Sequence, residues 1–339
     1  MIKHINHVWL FFTDRCNLAC GYCFYKYRSH AQVITQKTFK NILGFIRPAA
    51  PVEFVFSGGE PLTDKEMLKE MITAIRQEGI SRYISVQTNA TLLDETLMEF
   101  FLCHGINLEV GMDGDEATTR RNRPGTGNFC YADIIRGVNL AIGAKGPLTA
   151  TMTVHPSSAA KILENLKYLA GMGLKSIEVH PAFLEAWDTL SADIFLDQYR
   201  RACAWELKEG RHGLIGRGYS APARGTWDLL SLPSGKVLPN WVLLSFPEEV
   251  RKHFYLMDLS QSSSGELMPQ ADLYFQALEG HMAGHPNGSY RRISNFNALS
   301  AVKTPAGHRY EKRVKAYVDL CEQIEEIDHK IMGAGTWQR

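Results

Sequence analysis

Charge of one sign is missing from this 339-residue sequence. Its 37 basic and 36 acidic side chains leave a formal net charge of +1. That balance announces no attraction to nucleic acid or to an anionic membrane surface. No apolar run reaches membrane-spanning length, and the N-terminus lacks the basic region and apolar core of a secretory signal. A cytoplasmic protein with no nucleic-acid or membrane partner is expected. Cysteine is also scarce, at seven residues. Cys103, Cys130, Cys203 and Cys321 lie far apart, which excludes a dense disulfide framework and reads as small apolar residues, most of them buried. Solenoid repeats and low-complexity tracts are absent. Apolar residues still make up 45% of the chain, enough for a sizeable core.

The other three cysteines stand together. Cys16, Cys20 and Cys23, separated by three and then two residues, follow the apolar run Val8–Phe12. Three packed thiolates with no fourth cysteine nearby suit a cubane iron–sulfur cluster with one iron lacking a protein ligand. A structural zinc knuckle is the other reading. It needs a fourth ligand, and His4, His7 and His30 are near enough in sequence to supply one.

Val8–Phe12 has the continuous apolar pattern of a strand buried on both faces. Strands are then predicted at Val52–Phe56, Tyr83–Gln87, Ile106–Val110, Leu148–Val154 and Ser176–Val179. Between and after them helices are predicted at Thr35–Arg47 (capped by Thr35, stopped by Pro48), Asp64–Gln77, Glu95–Cys103, Tyr131–Ile142, Ala159–Ala170 and Ile194–Glu209. A loop rich in Arg, Gly and Pro is expected before Tyr131. Six strand–helix units in a row predict an α/β fold with a parallel sheet and right-handed crossovers. Such folds bind ligands on the loops at the carboxyl ends of the strands, and the distinctive clusters all fall there.

The Cys-x3-Cys-x2-Cys signature, with aromatic Tyr22 before the last cysteine, resembles the radical S-adenosylmethionine (radical SAM) superfamily. One unit later, Gly58-Gly59-Glu60-Pro61 resembles the family's motif for the methionine amino group of S-adenosylmethionine. The resemblance implies an open (β/α)6 partial barrel and a single [4Fe–4S] cluster on Cys16, Cys20 and Cys23. S-Adenosylmethionine would chelate the open iron and be cleaved to a 5′-deoxyadenosyl radical that abstracts hydrogen. An electron donor such as flavodoxin or ferredoxin is implied with it. Thr88-Asn89-Ala90 is similar to the family's Thr-Asn-Gly, with Ala90 replacing glycine. Gly111-Met112-Asp113-Gly114 resembles the Ser-x-Asp-Gly stretch of peptide-modifying members, with Gly111 in the serine's place. Arg123 best matches the arginine that meets the methionine carboxylate. The cofactor-binding candidates are therefore Gly58, Gly59, Glu60, Asn89, Asp113 and Arg123. The strand ends add His155, Glu178 and His180 as candidate catalytic groups, Glu178 and His180 sharing a face by strand alternation.

Beyond residue 211 the alternation stops. Trp227–Leu232 and Val237–Leu238 read as a hairpin. The stretch to Trp241 resembles the SPASM hairpin of peptide-modifying members, with Asn240 where a cluster cysteine would stand and Trp241 after it. An auxiliary cluster of that kind cannot be built. The expected domains are a partial barrel at 1–210, a degenerate SPASM-like hairpin region at 211–260 and a C-terminal extension at 261–339. The extension ends in a helix, Arg309–Ile331, with Tyr317, Leu320, Ile324, Ile327 and Ile331 as its buried stripe. This lineage implies a ribosomally made precursor peptide as substrate, modified by crosslinking, epimerisation or backbone excision. A radical enzyme for a small metabolite is the alternative, and a non-catalytic metal-binding module the second.

Overall fold

The computed structural model describes residues 5–126, 129–216, 227–264, 266–283, 297 and 299–332. His4, Gly127 and Asn128 lie outside them. Six parallel strands pair in chain order: β1 (Ile5–Thr13), β2 (Val52–Gly58), β3 (Ser81–Thr88), β4 (Asn107–Gly111), β5 (Leu148–Val154) and β6 (Ile177–Pro181). β1 lies inside the sheet, and Val8, Leu10, Phe11 and Phe12 are fully buried, as a strand covered on both faces requires. The sheet does not close. A short β7 (Ile215–Gly216) ends it beyond β6, and three more strands extend it on the β1 side.

Two of those three form the expected hairpin, and the third comes from a later segment. β8 (Trp227–Ser231) runs antiparallel to β9 (Lys236–Leu238), which pairs with β10 (Met257–Asp258). β8 also lies parallel beside β1, with Leu229 and Leu230 opposite Val8 and Trp9. The hairpin thus continues the barrel sheet. Asn240, in the position of the missing cysteine, is buried and accepts the Val242 N–H at 2.9 Å.

Helices α1 (Gln36–Ile46), α2 (Lys65–Glu78) and α3 (Glu95–Cys103) follow the first three strands. Thr35 caps α1 by accepting the Thr38 N–H, and Gly79 closes α2 at φ +66°. In place of the expected loop stands α4 (Glu116–Asn122), capped by Asp115. Its Glu116 in the first turn and Arg120 and Arg121 in the last complement the helix dipole. Next come α5 (Tyr131–Ala144), α6 (Ile162–Gly171) and α7 (Thr189–Lys208). The last starts earlier than predicted because Asp188 and Ser191 cap it reciprocally. After them stand a single turn α8 (Glu248–Arg251), α9 (Pro269–Ala283) and the terminal α10 (Glu311–Met332).

Tyr317, Leu320, Ile324 and Ile327 of α10 are buried as predicted. Tyr199 of α7 donates to buried Asp328 at 2.8 Å, joining the extension to the barrel. The scattered cysteines divide evenly: Cys203 and Cys321 are buried, whereas Cys103 and Cys130 are exposed. Those two occupy helix ends, the last residue of α3 and the N-cap of α5, where little packs over them. Among the described residues no helix is long and apolar enough to cross a membrane.

Candidate functional site

The cysteine loop leaves the carboxyl end of β1 and is held from three sides. From the β2 loop, Gly59 N–H donates to Thr13 O at 2.8 Å and Glu60 N–H to Arg15 O at 2.6 Å. From the β3 loop, Asn89 Nδ2 donates to Asn17 Oδ1 at 2.8 Å, and Asn17 Nδ2 to Thr91 Oγ1 at 2.7 Å. At the end of α4, Pro124 O accepts Ala19 N–H at 2.8 Å and Asn122 O accepts Gly21 N–H at 3.1 Å. The two glycines serve this contact. A Cβ on Gly59 would lie 2.0 Å from Arg15 O, and one on Gly58, at φ +138°, 2.4 Å from Thr13 O. Their close backbone approach is to the chain's own cysteine loop.

All three thiols are half-buried. Burial, with Glu60 adding to it, pushes the Cys16 thiol up to about 11. Burial pushes Cys20 to about 12 against the opposing pull of Arg123. Metal ligation would therefore have to displace both protons. Arg28 Nη1 donates to Cys23 Sγ at 3.2 Å. Among the described residues no three His, Cys, Asp or Glu side chains converge on one metal-ion position. A closed zinc site takes four ligands, whereas a cubane with one open iron takes three thiolates, the number this loop carries. His7 is engaged at both ring nitrogens, Nδ1 with Asp228 at 2.8 Å and Nε2 with Glu53 at 3.0 Å. The donor set suits a cluster.

Glu60 is 1% exposed. Its Oε1 accepts Leu62 N–H at 3.0 Å and Thr88 Oγ at 2.6 Å, and its Oε2 accepts Asn89 N–H at 2.7 Å. Burial raises its pKa, and these hydrogen bonds pull the other way. Each carboxylate oxygen accepts about two hydrogen bonds, so Oε2 retains capacity for another donor. Asn89 spends its Oδ1 on the Thr91 N–H and hydroxyl, at 3.0 and 2.6 Å. Both ends of this side chain therefore brace the loops.

Asp113 and Arg123 meet each other. Asp113 Oδ1 accepts from Arg123 Nε at 3.1 Å and Nη2 at 2.9 Å, while Tyr22 donates to Asp113 Oδ2 at 2.5 Å. Burial raises the Tyr22 phenol, and the adjacent Asp113 charge keeps it protonated. Gly111 makes this possible. A Cβ there would lie 2.4 Å from Arg123 Nη1, so the serine of the related pattern and this arginine position exclude each other. Nη1 is the guanidinium nitrogen not spent on Asp113.

Glu178 and His180 do share a face, with His180 Nε2 3.1 Å from Glu178 Oε2. His155 is drawn aside. Its Nδ1 meets Ser157 Oγ at 2.8 Å and its Nε2 meets Glu185 at 3.3 Å. A neighbouring carboxylate on β4, Glu109, was not singled out in the sequence. It accepts from Gln87 Nε2 at 2.8 Å, and Gln87 Oε1 accepts from Ser57 Oγ at 3.0 Å. Burial, with Glu178 adding to it against Gln87, pushes the Glu109 carboxyl up to about 7. The available signal was alternation: Glu109 stands between buried, apolar Leu108 and Val110, two positions before Gly111.

Residues 10–169 match the radical SAM superfamily, whose cofactors are a [4Fe–4S] cluster and S-adenosylmethionine. A serine-type anaerobic sulfatase-maturating enzyme of Klebsiella pneumoniae is 26% identical over 183 residues, which cover 50% of this chain and 46% of that one. The chain spans about half the length of the curated relatives it matches. Among solved structures, anSMEcpe with bound AdoMet and the Cp18Cys peptide has a TM-score of 0.71 at 17% identity, over 96% of this chain and 99% of that chain. SuiB of Streptococcus suis bound to precursor peptide SuiA has a TM-score of 0.63 at 13% identity, over 83% and 67%. At these identities the structural likeness is one of fold.

Proposed function

Residues 10–169 are a radical SAM domain, and on that premise we propose that the chain is a radical enzyme that modifies a ribosomally made peptide. When bound, a [4Fe–4S] cluster with S-adenosylmethionine would supply the radical chemistry that abstracts hydrogen from the substrate. Cys16, Cys20 and Cys23 hold that cluster. One observation carries the reading: the cysteine loop is fastened by backbone hydrogen bonds to Gly59 and Glu60 on the next strand's loop. Oε2 of Glu60 and the Gly58–Gly59 backbone take the methionine amino group, since that oxygen retains capacity for a further, cationic donor. Arg123 Nη1 meets the methionine carboxylate while its other nitrogens stay on Asp113. Asn89 and Asp113 position these groups. Glu178 and His180, with Glu109 beside them, are the groups available for moving a proton at the substrate.

The sheet is laterally open, so a reactive carbon radical needs cover from solvent. The stretch from β8 to Trp241 and the tail beyond it give that cover and grip an extended peptide. Trp241 stacks edge-on against Phe24, next to Cys23, at 5.2 Å between ring centroids. The whole operates in the cytoplasm with a small reducing protein as electron donor.

The test uses anaerobically reconstituted protein, which is expected to hold about four irons per chain and to form 5′-deoxyadenosine when reduced. Glu60→Gln is expected to weaken S-adenosylmethionine binding at unchanged iron content. A peptide encoded beside the gene should change mass, and Trp241→Ala should slow that change while sparing uncoupled deoxyadenosine formation. Unaltered cofactor affinity in Glu60→Gln refutes the amino-group assignment. Consumption of a small metabolite alone refutes the peptide substrate.

A further inference from the structure

A cavity of about 310 Å³ lies between the cysteine loop and the β8–β9 hairpin, with Asp14, Arg28, Lys236, Glu248, Arg251 and Tyr255 in its wall. Its acidic groups are already served. Asp14 accepts from the Tyr25 hydroxyl at 2.5 Å and from Ser29 Oγ at 2.6 Å. Glu248 accepts from Tyr255 at 2.7 Å and Arg251 Nη2 at 3.2 Å, with Lys236 Nζ at 3.6 Å. The cations are served less well. Arg28 spends Nη1 on Cys23 Sγ and Tyr25 O, yet its Nε–H is buried with no acceptor. Arg251, only 7% exposed, likewise buries an Nε–H with no acceptor. Two arginines that each retain an unserved donor thus line one cavity.

Three cations line the wall against two carboxylates, one of them, Arg28, also facing the Cys23 sulfur. We propose that this cavity binds a carboxylate, supplied by the C-terminus or by an acidic side chain of the peptide substrate. A carboxylate is planar, presents two acceptor oxygens to a guanidinium fork, and brings a single negative charge. A doubly charged phosphate would meet Asp14 and Glu248 at close range. The volume admits a carboxylate with the residue that bears it. The source of the carboxylate rests on the peptide reading above; the site itself does not.

Three N-acetylated alanine-based tetrapeptides separate the sources when titrated calorimetrically into the cluster-loaded chain at low salt. One has a free C-terminal carboxylate, one is amidated and neutral, and one is amidated with a single glutamate. Binding of the first or the third, and not of the second, is expected, and it identifies the source. Arg251→Gln is expected to weaken that binding about tenfold. Lys236→Gln changes a side chain 42% exposed, so the fold survives, and about a threefold loss is expected. The readout is heat of binding, independent of turnover. Carboxylate binding without peptide modification keeps the site and removes the substrate reading. Equal binding of the neutral peptide, no binding of any probe, or unchanged affinity in Lys236→Gln overturns the site.

Discussion

Arg28 Nη1 stands 3.2 Å from the sulfur of Cys23, so a guanidinium donates to one of the three thiols of the cysteine loop. A hydrogen bond to a ligand sulfur favours the reduced, more negative cluster and raises its potential. Arg28→Gln is expected to lower the potential, by about 60 mV if about 1.4 kcal/mol of that interaction is lost. A redox titration followed by electron paramagnetic resonance reads the shift. An unchanged or higher potential would show that this contact does not tune the cluster.

Gly59→Ala is expected to destabilise the metal-free chain as well as the loaded one, by about 3 kcal/mol. The added methyl would overlap Arg15 O, so the cysteine loop must move. Denaturant unfolding of the apo protein measures this. A glycine serving only ligand approach would leave apo stability untouched.

Gly111→Ser restores the related pattern and should expel the Arg123 guanidinium from beside Asp113, leaving a buried carboxylate unpaired. The expected cost is about 3 kcal/mol or more. In an Arg123→Ala background the serine has room, so its added cost should fall well below that of the single change. Additive losses across this cycle would refute the steric exclusion.

Stability should decline with pH in two steps. Glu109 is raised from 4.5 to about 7 by burial, with Glu178 adding to it against Gln87. Its folded form therefore holds a proton that the unfolded form releases, and stability falls as pH rises from about 4.5 to about 7. Burial alone would lower His7 from 6.5, but its hydrogen bonds to the Asp228 and Glu53 carboxylates outweigh it and hold the ring at about 10. That contribution is complete below 6.5 and is lost as pH rises to about 10. Glu109→Gln should remove the first step and His7→Gln the second, in unfolding curves taken across pH 4 to 10. Persistence of either step in its own variant would discard that assignment.

Local pattern was enough for the six parallel units and for the cysteine loop. The apolar runs of β1 to β6 are short and bounded by turn residues, and thiols with only three and two residues between them stay together wherever the segment lies. The caps of α4 and α7 are local as well. Asp115 and Asp188 carried those signals, masked by a neighbourhood rich in Arg and Gly in the first case and by a predicted later start in the second. Gly58 and Gly59 were recognised by motif, but that they accommodate Thr13 and Arg15 depends on two strands being neighbours.

The remaining features join residues far apart in the chain, and periodicity carries no information about such pairs. Only tertiary structure seated β8 beside β1, making the hairpin part of the barrel sheet. It also gave Asp113 to Arg123 and Tyr22, and a common cavity to Arg28 and Arg251. Sequence by itself determined that three cysteines stand together after the first strand and which strands run parallel, because spacing and apolar period act within one element. The neighbours of each polar group were decided by the packing of the sheet, because burial forces a donor or acceptor to find its partner across the fold.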